Sequence, residues 1–297
     1  MISRGILILS AFFLAVGIAA DGGVNPRFRP DQSVNRGFEE PRSLYEKIND
    51  RGQITIALQE DYQPFHISDP REGFPGFDVE LGKKIGDALG VRVEFKFLQF
   101  PEIMQAAANR EVDIALGGIS SNLERGRTMA FSDPYLITTP AALLSRRTLP
   151  PEPENIDFPR RVFSSLADLK YAGTITIGVQ IGTTNELLIK SDPEFARHRV
   201  VSFNSRVNTL DALEKGEIDA FVADGLHIKA LVTRRKDLLN NYIPLTAVYR
   251  EEHICIVFSH GNPELWNTLN FILKELRRTG YIDALKKKYF ESSGWVP

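Results

Sequence analysis

At 297 residues, 43% of them hydrophobic and 25% charged, the chain can fill one large core or two modest ones, and its composition excludes disorder as the dominant state. Its 36 basic and 38 acidic side chains leave a net charge of −2, which excludes nucleic-acid binding and disfavours tight binding to an anionic membrane surface. Cys255 is the single cysteine, so neither an intrachain disulfide nor a cysteine-based metal site can form.

The N-terminus pairs Arg4 with an apolar run over residues 6–20 that closes on Gly17-Ile18-Ala19-Ala20. This pattern predicts a signal peptide over 1–20, cut after Ala19 or Ala20. About 15 apolar residues fall short of the ~20 a membrane span needs. No cysteine follows, which argues against a lipid anchor, and a periplasmic location is expected. Residues 21–42 are rich in Gly, Pro, Arg, Asn and Asp without an apolar period, and predict a flexible tether. A short helix is expected over 43–49, ending near Gly52.

The main body echoes itself. Gln53-Ile54-Thr55-Ile56-Ala57-Leu58-Gln59 is nearly repeated by Thr174-Ile175-Thr176-Ile177-Gly178-Val179-Gln180. Arg110-Glu111-Val112-Asp113-Ile114-Ala115 then resembles Gly216-Glu217-Ile218-Asp219-Ala220-Phe221. Between the members of the first half, Phe77, Leu81, Ile85 and Leu89 recur every fourth residue until Gly90; in the second, Leu210 and Leu213 share a face before Gly216. Strand, helix, strand in each half predicts two α/β lobes with mainly parallel sheets. The proline-rich stretch 146–161 reads as the crossing between lobes, and a short helix is expected to start over 164–169. Residues 254–258 read as a further buried strand. Asn262 is expected to cap a helix that has Pro263 at its first position and Leu265, Leu269, Ile272 and Leu276 on its core face. A last helix is expected over 281–290.

Ligands of α/β sheets sit beyond the carboxyl ends of strands. That rule selects Gly117-Gly118-Ile119-Ser120-Ser121-Asn122, with Arg125 close enough to lean into the same loop: backbone donors, hydroxyls and a planar fork suited to a carboxylate or phosphate. In the second half it selects Ile181-Gly182-Thr183-Thr184-Asn185, whose hydroxyls and helix-start amides also suit an anion. Asp224 follows the strand expected over 218–223 and suits an ammonium. Tyr62 and Phe100 follow expected strands and are the aromatic candidates for a cleft wall. The five histidines lack metal-ligand spacing, and there is no nucleophile elbow, Walker loop or dinucleotide fingerprint. Neither a metal nor a cofactor is expected.

Asp61-Tyr62-Gln63-Pro64-Phe65, Gly76-Phe77-Asp78-Val79-Glu80-Leu81, Gly118-Ile119-Ser120, Glu124-Arg125, Phe131-Ser132-Asp133-Pro134-Tyr135 and Gly182-Thr183-Thr184 resemble, in that order, the family 3 extracellular solute-binding proteins, the amino-acid receptors of ABC importers. The resemblance runs from about residue 52 to 290. It implies a type II periplasmic-binding-protein fold, α/β, with two hinge strands and the second lobe inserted in the first: lobe I over 43–142 and 250–297, lobe II over 143–249. It implies a monomer that binds a small amino-acid-like carboxylate and meets an ABC permease. Arg125 would grip the α-carboxylate with Gly118, Ser120, Thr183 and Thr184 around it, Asp224 would take the α-ammonium, and Tyr62 and Phe100 would sandwich the side chain. Hinges are expected near 141–146 and 248–253. Receptors for cationic amino acids usually carry Asp where this chain has Gln59, which weighs against arginine or lysine. The Ser120-to-Arg125 and Gly182-to-Glu186 segments are also similar to periplasmic cyclohexadienyl dehydratase, which shares the fold and removes water and carbon dioxide from prephenate or arogenate. On that alternative His227 would be the catalytic acid, three places after Asp224 where the enzyme carries an acidic residue.

Overall fold

The computed structural model describes residues 42–60, 62–149 and 161–296. The expected signal peptide and all but the last residue of the expected tether lie outside the described residues. Ser43 opens helix α1 (Leu44–Arg51) by accepting the Glu46 amide while the Glu46 carboxylate accepts the Ser43 amide, and Gly52 ends it in the left-handed conformation. The chain continues through β1 (Gln53–Gln59), α2 (Phe77–Leu89), β2 (Arg92–Leu98), α3 (Phe100–Ala108), β3 (Ile114–Ala115), β4 (Met129–Phe131), β5 (Leu136–Thr138) and β6 (Pro140–Ser145). It then forms β7 (Thr176–Gln180), α4 (Thr184–Ser191), β8 (Arg199–Phe203), α5 (Arg206–Glu214), β9 (Ala220–Asp224), α6 (Gly225–Arg234), α7 (Leu238–Asn241) and β10 (Tyr242–Leu245). Strands β11 (Glu252–Ile254) and β12 (Val257–Ser259) and helices α8 (Pro263–Arg278) and α9 (Tyr281–Lys286) complete it.

Two five-stranded sheets result, ordered β2-β1-β3-β12-β4 and β10-β6-β9-β7-β8, with a two-stranded ribbon β5-β11. β1 is parallel to β2 and β3, and β7 is parallel to β8 and β9, while β12 and β6 run antiparallel to their neighbours. Strands covered on both faces read as continuous apolar runs, and each sheet carries an apolar cluster on either side. Ile56, Phe77, Ile85 and Leu269 belong to one side of the first sheet and Ala57, Ile103 and Val257 to the other. Ile177, Leu188 and Val222 oppose Leu143, Leu213 and Phe221 in the second.

The echoed aspartates explain their own repetition. Asp113 Oδ2 accepts the Thr55 amide at 2.7 Å and pairs with Arg51; Asp219 Oδ2 accepts the Thr176 amide at 2.9 Å and pairs with Arg147 at 3.0 Å. Each carboxylate ties the entry of a lobe's first strand to the chain leading into its third.

Several expected boundaries move. β6 pairs with β9 from Pro140 onward, so the first crossing lies at the Thr138–Pro140 junction rather than at 142/143 or in the stretch 146–161. Arg146 and Arg147 instead anchor inside lobe II, on the Leu239 carbonyl and on Gly216 and Asp219. The strand expected over 254–258 divides: β11 pairs with the ribbon and β12 with the first sheet. The segment over 166–171 is a 3₁₀ helix, and the last helix passes into a π turn over Lys287–Glu291. Asn262 stands at the helix start but turns its amide back onto Ser259 and His260, so it makes no cap bond.

Candidate functional site

Four strand ends converge between the lobes. β1 ends at Gln59 and β7 at Gln180, the matching last residues of the echoed strands, and Gln59 Nε2 donates to Gln180 Oε1 at 3.3 Å. β9 ends at Asp224, which accepts the Tyr62 hydroxyl through Oδ2 and the His227 amide through Oδ1 at 2.9 Å. β3 runs into Gly117-Gly118. Gly118 has φ +63°, and a Cβ there would lie 2.5 Å from the Tyr62 ring, so the glycine is required by both conformation and space. Phe65 stacks on Tyr62 at 4.6 Å. Burial, above all, pushes the Tyr62 hydroxyl well above its ordinary range, so it stays a donor.

Beneath the glycine loop lies Asp78, fully buried on the first turn of α2. Desolvation pushes its carboxyl up to about 7, against the opposing influence of the Tyr135 hydroxyl and the Gly118 and Gly117 amides.

The second cluster centres on a carboxylate of the chain itself. Glu252 Oε2, on β11, accepts from Ser120 Oγ at 3.0 Å and from Thr184 Oγ1 at 3.3 Å, and so touches both lobes. Burial raises its pKa, with Ser120 and Arg250 opposing. Arg125 spans the cleft, donating through Nη1 to the Ser120 carbonyl at 2.7 Å and through Nη2 to the Gly182 carbonyl at 2.8 Å. Its guanidinium lies 5.4 Å from the Phe100 ring centroid. Desolvation lowers its pKa to about 10, with Glu252 opposing, so it remains positive at neutral pH. A cavity of about 590 Å³ opens beside Arg125, Pro101, Thr183 and Thr184.

The residues singled out in the sequence fall into these two groups. Ser120 and Thr184 hold Glu252 with Arg125 beside it and Phe100 against the Arg125 guanidinium, while Tyr62, Gly118 and Asp224 meet at the strand ends. Thr183 sits between, but its hydroxyl caps α4, donating to the Gln180 carbonyl at 2.7 Å and accepting the Glu186 amide at 3.1 Å. The His227 ring stands 5.3 Å from Tyr62, with Nδ1 2.7 Å from the Gln63 carbonyl.

Three residues escaped the sequence reading. Gln180 was signalled by its echo of Gln59. Arg206, buried at 6% exposure, reaches Gln59 Oε1 at 2.9 Å and Gln180 Oε1 at 2.5 Å. Its signal was a cation at the first position of a helix capped by Ser205, where the macrodipole is unfavourable. Glu252 lay in the charged run Arg250-Glu251-Glu252 and carried no signal of its own.

Comparison with known proteins agrees with this architecture. The family model described as bacterial extracellular solute-binding proteins, family 3, matches residues 54–292. The arginine-binding extracellular protein ArtP of Bacillus subtilis is 27% identical over 244 residues, covering 80% of this chain and 86% of that protein. Cyclohexadienyl dehydratase of Pseudomonas aeruginosa is 29% identical over 198 residues, covering 66% and 68%. The structure of an ancestral arginine-binding protein bound to arginine superposes with a TM-score of 0.68 at 28% identity, covering 81% of this chain and 99% of the other. With two α/β lobes, the second inserted in the first, and a two-strand ribbon at the crossing, the fold is the type II periplasmic-binding-protein fold, and the chain belongs to the family 3 bacterial extracellular solute-binding proteins.

Proposed function

We propose that this protein captures a small amino-acid-like carboxylate between its lobes and, in the periplasm, delivers it to an ABC importer. The observation that carries the reading is the carboxylate of Glu252 held by Ser120 and Thr184 beside Arg125. The groups expected to receive a ligand carboxylate are arranged around one already. Two hydroxyl donors and a half-buried guanidinium suit that charge and geometry.

The ligand α-carboxylate takes the place of Glu252 against Ser120, Thr184 and Arg125. Asp224 receives the α-ammonium, and Tyr62 and Phe100 wall the cleft. Because Arg125 bonds carbonyls of both lobes, a ligand bound to it favours the closed state by the differential contacts it makes there. Calorimetry against the common amino acids and prephenate, with product assayed in parallel, tests this. Saturable binding of an amino acid without turnover is expected, and release of phenylpyruvate or phenylalanine from prephenate or arogenate would overturn it.

The dehydratase relative and the place of His227 beside Tyr62 favour a second reading as an enzyme. With Nδ1–H donated to the Gln63 carbonyl, the proton given to a leaving hydroxyl would sit on Nε2. Turnover abolished by His227→Ala, with binding retained, would establish that alternative.

A further inference from the structure

The proposed mechanism leaves one charged cleft residue without a task. Arg206 is buried, yet its compensation is thin. Nη1 donates to two neutral carboxamide oxygens, Nη2 stands 3.8 Å from Asp224 Oδ2, and Nε has no hydrogen-bond partner among the described residues. Asp224 is itself committed to Tyr62 and to the His227 amide. The guanidinium also covers Tyr62, 3.8 Å from the ring centroid. Beside it, a cavity of about 100 Å³ is lined by Arg234 and His227 and, among the described residues, by no carboxylate. A buried cation with a spare donor and a shared counterion is a group suited to receive an anion.

We infer that Arg206 is the specificity-determining residue of the cleft and that the ligand is a dicarboxylic amino acid of the aspartate–glutamate kind. The inference rests on the amino-acid receptor reading above. Arg125 meets the α-carboxylate at one end, and Arg206 meets the side-chain carboxylate at the other. Binding is an exchange of partners: the ligand ammonium takes Asp224, and the distal carboxylate compensates the guanidinium that Asp224 served. Gln59 and Gln180 each carry an amide donor, now given to Gln180 Oε1 and to the Asn204 carbonyl, which rotation of the carboxamide redirects to the same anion. A cationic side chain meets like charge there, and an aromatic one finds the Tyr62 face taken. A neutral amide fits but forgoes the charge-assisted fork.

Calorimetry of the purified protein, freed of bound amino acids, against aspartate, glutamate, asparagine, glutamine, histidine and arginine tests the inference. One of the two acids is expected to bind about 10- to 100-fold more tightly than its own amide. Arg206→Met is expected to erase that preference while amide binding persists, a change of ratio that simple destabilisation would not produce. Arg206→Lys, which keeps the charge without the fork, should retain part of it and serves if the methionine variant does not fold. Equal or tighter binding of amides, histidine or arginine by the unmodified protein would overturn the role of Arg206 and leave the receptor reading standing. So would an acid preference that survives Arg206→Met. Binding of none of these six would overturn the inference, and the receptor reading falls with it only if the remaining common amino acids fail to bind as well.

Discussion

Lobe I and lobe II are held by the same ties and differ at the ends that face each other. Asp113 and Asp219 each accept a first-strand amide and pair with an arginine. Gln59 and Gln180 end the echoed strands and meet across the cleft. The second residue of the following helix is a buried polar group in both, Asp78 in α2 and Asn185 in α4. Beyond these matches the lobes part. Lobe I presents glycine amides and Arg125; lobe II presents Asp224, Arg206 and hydroxyls. The echoed segments thus account for the shared frame, while the proposed recognition depends on where the two lobes differ.

The Asp78–Asn185 difference has the largest expected effect. The Asp78 carboxyl is raised from 3.8 to about 7 in the folded chain, so folding binds a proton. Stability should therefore be fully present below pH ~4 and fall as pH rises towards 7, by at most ~4 kcal/mol. Asp78→Asn should flatten that slope, and Asn185→Asp should install one in lobe II; urea titrations across pH 4–8 measure both. Next come the strand ties. Asp113→Ala should cost ~2–3 kcal/mol because its carboxylate is 7% exposed, and Asp219→Ala ~1 kcal/mol because its own is 23% exposed. Equal losses would break the parallel drawn from burial. Arg125→Ala should weaken ligand binding by ~1.5–3 kcal/mol, since no described residue of lobe II duplicates its place. Unchanged affinity in calorimetry would remove Arg125 from the site. The smallest effect is expected of Glu252→Gln, which should tighten carboxylate binding by ~0.5–1 kcal/mol through loss of a competing charge. Weaker binding would show that Glu252 holds the site open for the ligand.

Much of this frame was legible because repetition and periodicity are local. The echoed strands, the α2 face of Phe77, Leu81 and Ile85, and the glycine stops need only neighbours in sequence. Arg125, Ser120 and Thr184 were legible because strand-end loops have known uses. The crossing was misplaced because proline content in 146–161 marks irregular chain in general, whereas β6 joins lobe II through pairing with β9, 76 to 84 positions away in sequence (Leu144 with Ala220 to Pro140 with Asp224). Glu252 and Arg206 were missed for a related reason: each has partners in both lobes, Ser120 and Thr184 for Glu252 and Gln59 and Gln180 for Arg206, and such a contact across a cleft is not written in the neighbouring sequence.

Glu252 sits on the strand that joins the lobes, and this gives it a kinetic meaning. On the proposed reading, a ligand carboxylate does not fill a bare receptor; it displaces a tethered competitor. The measured affinity is then a difference between two similar anions, one of them always present at high local concentration. Departure leaves no orphaned hydroxyls, because the chain's own carboxylate returns to them. A carrier must give up its cargo as readily as it takes it, and a built-in substitute shortens the time the cargo stays.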